Sequence, residues 1–142
     1  PFEGKTLVMH VRECSETEIK VPFHVGADRS RTWVFTRTGA GLRLKHDHRH
    51  EDGKPDAVTM YGGDTAGPGT AEKQSFPADA FSKDSFVRAQ IPQSVANVWV
   101  AGLSPTVFSY ALTRPNREFR VDFDLTRPVA APPAPWGHPP LR

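Results

Sequence analysis

Glu118-Phe119-Arg120-Val121-Asp122-Phe123-Asp124-Leu125-Thr126 alternates apolar and polar side chains without a break. On a strand, successive side chains leave opposite faces, so Phe119, Val121, Phe123 and Leu125 share one face. Arg120, Asp122, Asp124 and Thr126 share the other. One face is buried and one is wet, as in an antiparallel sheet packed on a core from one side. Thr106 to Thr113 repeats the pattern, with Phe108, Tyr110 and Leu112 against Val107, Ser109 and Ala111. Arg114-Pro115-Asn116-Arg117 turns the chain between these two strands. Val95 to Val100, carrying Trp99, reads as the strand before them.

The first half of the chain has the same period. Lys5 to Arg12 and Glu18 to Val25 predict a hairpin turning at Cys14-Ser15-Glu16, with Met9 opposite Val21 and Pro22 at an edge or a bulge. Arg31 to Arg37 and Leu42 to His50 predict a second hairpin around Thr38-Gly39-Ala40-Gly41. Pairing Phe35 with Leu44 sets Trp33 opposite His46 and Arg31 opposite His48. Arg43, Lys45, Asp47 and Arg49 then face solvent. Ala57 to Tyr61 reads as a short strand, and the glycine-rich Gly62 to Ala71 as a loop. Ser75 to Ala89 predicts one short helix, capped by Ser75, with Pro77 in its first turn.

The sum is an all-β chain: an antiparallel meander of about eight strands with one short helix. Strands joined in sequence order tend to pair as neighbours, and such a meander hides one apolar face best by curling shut. The expected organisation is a single β-barrel domain over residues 1–127. A proline-rich extended tail follows over residues 128–142, PVAAPPAPWGHPPLR, pinned where Trp136 docks.

Composition agrees. Val, Leu, Ile and Phe make up about 22% of the 142 residues, enough for one core. Eleven glycines and fourteen prolines suit many short turns. No window approaches the roughly 18 apolar residues of a membrane-spanning helix. A formal net charge of +2 gives no strong field for nucleic acid, so an oligonucleotide-binding barrel using Trp33 and Phe35 ranks last among functions. The single cysteine, Cys14, lies between glutamates in a turn and lacks the positive neighbourhood of a reactive thiol. The opening Pro1-Phe2-Glu3-Gly4 has neither Met nor a basic-then-apolar leader, and reads as a processed chain or a fragment, which leaves open whether a strand preceded it.

The strand order over residues 5–126 resembles the calycin group of lipocalin-like and fatty-acid-binding-protein-like barrels. The GxW signature of lipocalins is absent, and Gly26 to Trp33 has the wrong spacing for it. His46-Asp47-His48-Arg49-His50-Glu51-Asp52-Gly53 with Met60-Tyr61-Gly62-Gly63 further resembles uncharacterised secreted bacterial proteins with such a barrel. The resemblance implies a periplasmic or secreted location and brings no activity with it.

Two chemistries follow from the residues. An apolar barrel interior with a polar, histidine-lined mouth would bind a small apolar or amphipathic ligand, through Arg31, Trp33, Phe35, Leu44, His46, His48, Met60 and Tyr110. Alternatively, His46, His48 and His50 recur at every second strand position and so point the same way. That is ligand geometry for zinc or copper, with Asp56 or Glu51 as a carboxylate partner, in a metal-binding protein or metal-dependent enzyme. No G-x-S-x-G, H-E-x-x-H or C-x-x-C pattern is present, so nothing commits the chain to catalysis, and the Gly62 to Thr70 loop lacks the Lys of a phosphate cradle.

Overall fold

A computed structural model describes residues 2–141. Among the described residues, ten strands form two antiparallel sheets. The first contains β1 (Leu7–Met9), β2 (Glu13–Cys14), β3 (Glu18–Val25), β4 (Asp28–Arg37), β5 (Leu42–His48) and β6 (Tyr61–Asp64). Its order is β1-β3-β4-β5-β6, with β2 also paired to β3. The second sheet contains β7 (Lys73–Pro77), β8 (Val98–Leu103), β9 (Val107–Arg114) and β10 (Arg117–Asp124), in the order β10-β9-β8-β7. Helix α1 (Ala80–Arg88) and a 3-10 turn (Pro92–Ala96) lie between β7 and β8.

The alternating rows form the core. Phe108, Tyr110 and Leu112 of β9 pair with Phe123, Val121 and Phe119 of β10. Asn116 takes a left-handed φ of 64°, which closes the two-residue turn after Pro115. In the first sheet Phe35 pairs with Leu44, Trp33 with His46 and Arg31 with His48, the register expected from the sequence. Trp33 is fully buried. It stacks on Phe23 of its own sheet (4.7 Å between ring centroids, 14° between planes) and on Tyr110 of the other sheet (4.3 Å, 22°).

Several features differ from the sequence reading. Met9 pairs with Phe23 rather than Val21, and the turn falls at Ser15 to Glu18. The ladder slips by one residue across His10 to Arg12, so the single expected strand becomes β1 and β2. Pro22, with no N–H to donate, lies opposite the slip, and its carbonyl accepts from His10. Residues 57–60 are not a strand, and β6 instead runs through the glycines read as a loop. The glycines are there because the backbones pack closely. A Cβ on Gly62 would lie 1.8 Å from the Leu44 carbonyl oxygen, and one on Gly63 would lie 1.8 Å from that of Pro77.

Likewise, Lys73–Pro77 is a strand and not a helix start, and Asp79 caps α1 by accepting the Ser82 N–H at 2.8 Å. The outer residues Lys45, Asp47 and Arg49 are not open to solvent. Lys45 pairs with Asp79 at 2.5 Å, and the segment 134–138 covers Asp47 and Arg49. That segment is pinned by Trp136 N–H to the Arg29 carbonyl (3.0 Å), by Arg29 Nη1 to the Ala134 carbonyl (2.7 Å) and by Arg49 Nη1 to the Gly137 carbonyl (2.8 Å).

The two sheets do not join into a closed barrel. At the β6 and β7 edges, the Asp79 N–H donates to the Gly62 carbonyl, but no ladder forms. Pro77 has no donor to offer, and the Ser82 hydroxyl already serves Gly62, accepting from its N–H (2.8 Å) and donating to its carbonyl (3.0 Å). At the β1 and β10 side, Phe2 packs edge-on against Phe119 at 4.9 Å without backbone pairing.

Ser82 is fully buried, so Ser82→Ala strands the Gly62 N–H in a dry seam. The expected loss is about 1–3 kcal/mol of stability, measured as a lowered urea midpoint. An unchanged midpoint would mean that another group serves Gly62.

Candidate functional site

Two cavities lie between the sheets, one at each end. The one at the Gly41 end holds about 430 Å³ and is lined by apolar side chains including Met9, Val21, Phe35, Phe76 and Phe108. Its rim includes the exposed Val11, Ile19 and Leu103. The one at the histidine end holds about 370 Å³. Trp33, Tyr110, Trp99 and Phe119 line its apolar part, and Arg31, His48, Asp56, Arg114 and Arg117 also face it. A ligand site is usually an apolar cleft with a few convergent polar groups. The second cavity meets that description with arginines and imidazoles at the ends of its inward rows; the first also has charged neighbours, among them Glu16, Glu18, Arg37, Glu72 and Lys73, around a more apolar lining.

Period two also explains the chemistry of this second cavity. The inward row of β4 runs Phe35, Trp33, Arg31, and that of β5 runs Leu44, His46, His48. The inward row of β9 runs Phe108, Tyr110, Leu112, Arg114, and that of β10 runs Phe123, Val121, Phe119, Arg117. Each row passes from apolar to basic or imidazole in the same direction, and the rows end around one cup.

His46 is fully committed. Its Nδ1 lies 2.9 Å from the Tyr61 carbonyl oxygen, which can only accept, so Nδ1 carries the proton. Its Nε2 then accepts the Tyr110 O–H at 2.7 Å. Burial pushes the His46 pKa down to about 3 and the Tyr110 pKa well above the usual phenol range. A neutral imidazole accepting from a neutral phenol is therefore the state at neutral pH. His46 also stacks on Tyr61 (4.5 Å, 9°). The indole N–H groups of Trp33 and Trp99 lie near enough to the Tyr110 hydroxyl to favour its ionised form slightly. Even so, Trp33 Nε1 is buried without a hydrogen-bond partner.

Of the predicted ligand residues, Arg31, Trp33, His46, His48 and Tyr110 line this cup together. Phe35 lines the other cavity. Leu44 is sealed in the core. Met60 lines neither, because it sits in a turn at φ 55° rather than on a strand, and its side chain is partly exposed. The cup also uses Tyr61, Trp99, Arg114 and Arg117, which the sequence reading left out. Carrying the β9 and β10 rows one step further would have found both arginines.

The three histidines of the metal reading differ in environment. His46 has both ring nitrogens engaged. Burial first, then Arg31, lowers the His48 pKa. His50 is exposed and lies 3.6 Å from Asp56. Among the described residues, no group of three or more His, Cys, Asp or Glu side chains is arranged to hold a metal ion.

No protein-family model, curated protein or solved structure matches this chain.

Two predictions follow from the histidines. Burial lowers the pKa values of His24, His46 and His48, so the folded state resists protons that the unfolded chain accepts below about pH 6.5. Stability should be fully present above that pH and fall as pH drops towards 3. His46 alone should contribute about 1.4 kcal/mol per pH unit. Urea midpoints at pH 7, 6 and 5 check this, and a flat profile would contradict a buried neutral His46. Zinc at equimolar concentration should leave the melting temperature unchanged, because coordination would have to break the His46–Tyr110 bond. A rise of several degrees that is lost in His46→Gln would instead support the metal reading.

Proposed function

We propose that the chain is a small-molecule binding protein whose ligand enters the histidine-end cup. The observation that carries this reading is a cavity of about 370 Å³ between the sheets, walled by Trp99, Tyr110 and Phe119 and ringed by Arg31, His48, Asp56, Arg114 and Arg117. The volume suits a compact ligand. Trp99, Tyr110 and Phe119 line the cup's apolar part, and the rim supplies hydrogen bonds.

The calycin-like reading of the fold belongs with this proposal. Its support is the unbroken meander order within each sheet and the close approach of β6 to β7. In that reading the cup is the open end of a lipocalin-like interior. A periplasmic or secreted setting follows from the same resemblance and is proposed with it.

A thermal-shift screen of small aromatic and alicyclic compounds tests the function. At a hundredfold excess over Kd, a ligand should raise the melting temperature by about 5–10 °C. Backbone amide shifts should centre on Trp33 and Tyr110. A screen without hits, together with an experimental structure in which side chains fill the cup, would end the proposal.

A further inference from the structure

The cup has an unbalanced charge. Three arginines line it against one carboxylate, Asp56. Arg31 is neutralised locally, 3.0 Å from Asp28. Arg114 and Arg117 are not: among the described residues, no carboxylate lies within 4.0 Å of either guanidinium. Arg114 is oriented by neutral acceptors instead. Its Nη1 lies 3.2 Å from both Ser94 Oγ and Asn97 Oδ1, two buried groups. These bonds fix the guanidinium without cancelling its charge.

The placement of the pair is itself costly. Arg114 and Arg117 are direct cross-strand partners at the end of the β9–β10 hairpin. Like charges directly opposite one another destabilise a sheet. Both sit on the inward row, after Leu112 and Phe119, where the pattern would otherwise place apolar side chains. Glu118, the nearest acid in sequence, falls on the opposite face by alternation. Arg114, half-buried and held by neutral acceptors, and Arg117, exposed beside it at the mouth, form a paired cationic group without a counter-ion, which describes half of an ion pair. Arginine is also the side chain whose fork matches a carboxylate or sulfonate.

We propose that the molecule held in this cup carries an anionic oxygen group, a carboxylate or sulfonate, bound by Arg114 and Arg117, with its apolar body against Trp99, Tyr110 and Phe119. The inference rests on the binding function proposed above and adds the ligand's charge and its orientation. The charged end lies at the β9–β10 turn, and the apolar end lies on the aromatic wall.

A matched pair of dyes tests it. 8-Anilinonaphthalene-1-sulfonate carries the anionic group, and N-phenyl-1-naphthylamine has the same ring system without it. Both are titrated by fluorescence into the full chain, with amide shifts recorded to locate them. The sulfonate should bind about tenfold tighter than the neutral dye, as expected for one charge-assisted contact, and should move the amides of Trp33, Tyr110 and Arg114. Arg117→Gln, at an exposed position, should weaken the sulfonate about fivefold to tenfold and leave the neutral dye unchanged. Arg114→Gln should weaken it further, with circular dichroism confirming that the fold survives the loss of the Ser94 and Asn97 bonds. If both dyes reach the cup with equal affinity, or the sulfonate is indifferent to Arg117→Gln, the anionic ligand is wrong and the cup stands as a neutral site. If both dyes move only amides at the Gly41 end, such as those of Ile19 and Leu103, the binding function assigned to the cup falls as well.

Discussion

The Trp33 indole is the constraint on which the rest depends. It is sandwiched between Phe23 and Tyr110, so one face packs within its own sheet and the other spans the gap to the second sheet. Phe123 and Phe108 close around the same ring system. Two open sheets have no ladder between them to fix their spacing, and the Asp79 N–H to Gly62 carbonyl bond ties them at one edge alone. A stack of flat rings fixes it instead, since offset aromatic pairs prefer a narrow range of separation. Tyr110 then carries the constraint to His46, and His46 carries it to the Tyr61 carbonyl. The spacing of the sheets, the protonation state of the histidine and the depth of the cup are set by one connected column.

The polarity gradient along the inner rows is the second organising fact. A sheet face that stayed apolar from end to end would fill the space between the sheets with side chains. Here the rows turn basic at one end. Arginines do not pack into a dry interior, so the sheets cannot close over them, and a wet cup forms next to a dry core. Burial decides the rest. His46, further down its row, is held neutral. His48, one step further out, is only half-buried.

Much of this was legible in the sequence. Strict alternation in Glu118 to Thr126 and Thr106 to Thr113 gives the second hairpin pair, and the β4–β5 register follows from matching Phe35 with Leu44. Placing Arg31, Trp33, His46, His48 and Tyr110 on inward faces needs nothing more. The rest was hidden for definable reasons. Gly62 and Gly63 are glycines because two backbones touch them, and sequence alone does not distinguish a glycine of close approach from a glycine of a loop. Ser75 and Pro77 imitate a helix start, but Asp79 wins the cap because its carboxylate reaches the Ser82 N–H. Arg114 and Arg117 flank Pro115-Asn116, so a turn signal masks two inward positions. Closure of the sheet fails at atoms no pattern reports: the missing Pro77 donor and a serine hydroxyl already engaged with Gly62. The cavity at the Gly41 end was likewise unforeseen.

The strap across the outer face of β4 and β5 has a consequence for how the molecule is made. Its contacts join residues 105 and 88 positions apart. At a ribosomal rate of roughly 5–20 residues per second, Arg29 and Arg49 wait on the order of ten seconds for the carbonyls that will satisfy them. During that interval the nascent first sheet lacks both its cover and the opposing layer that supplies Tyr110. Chaperone occupancy during synthesis should therefore concentrate on this half of the polypeptide.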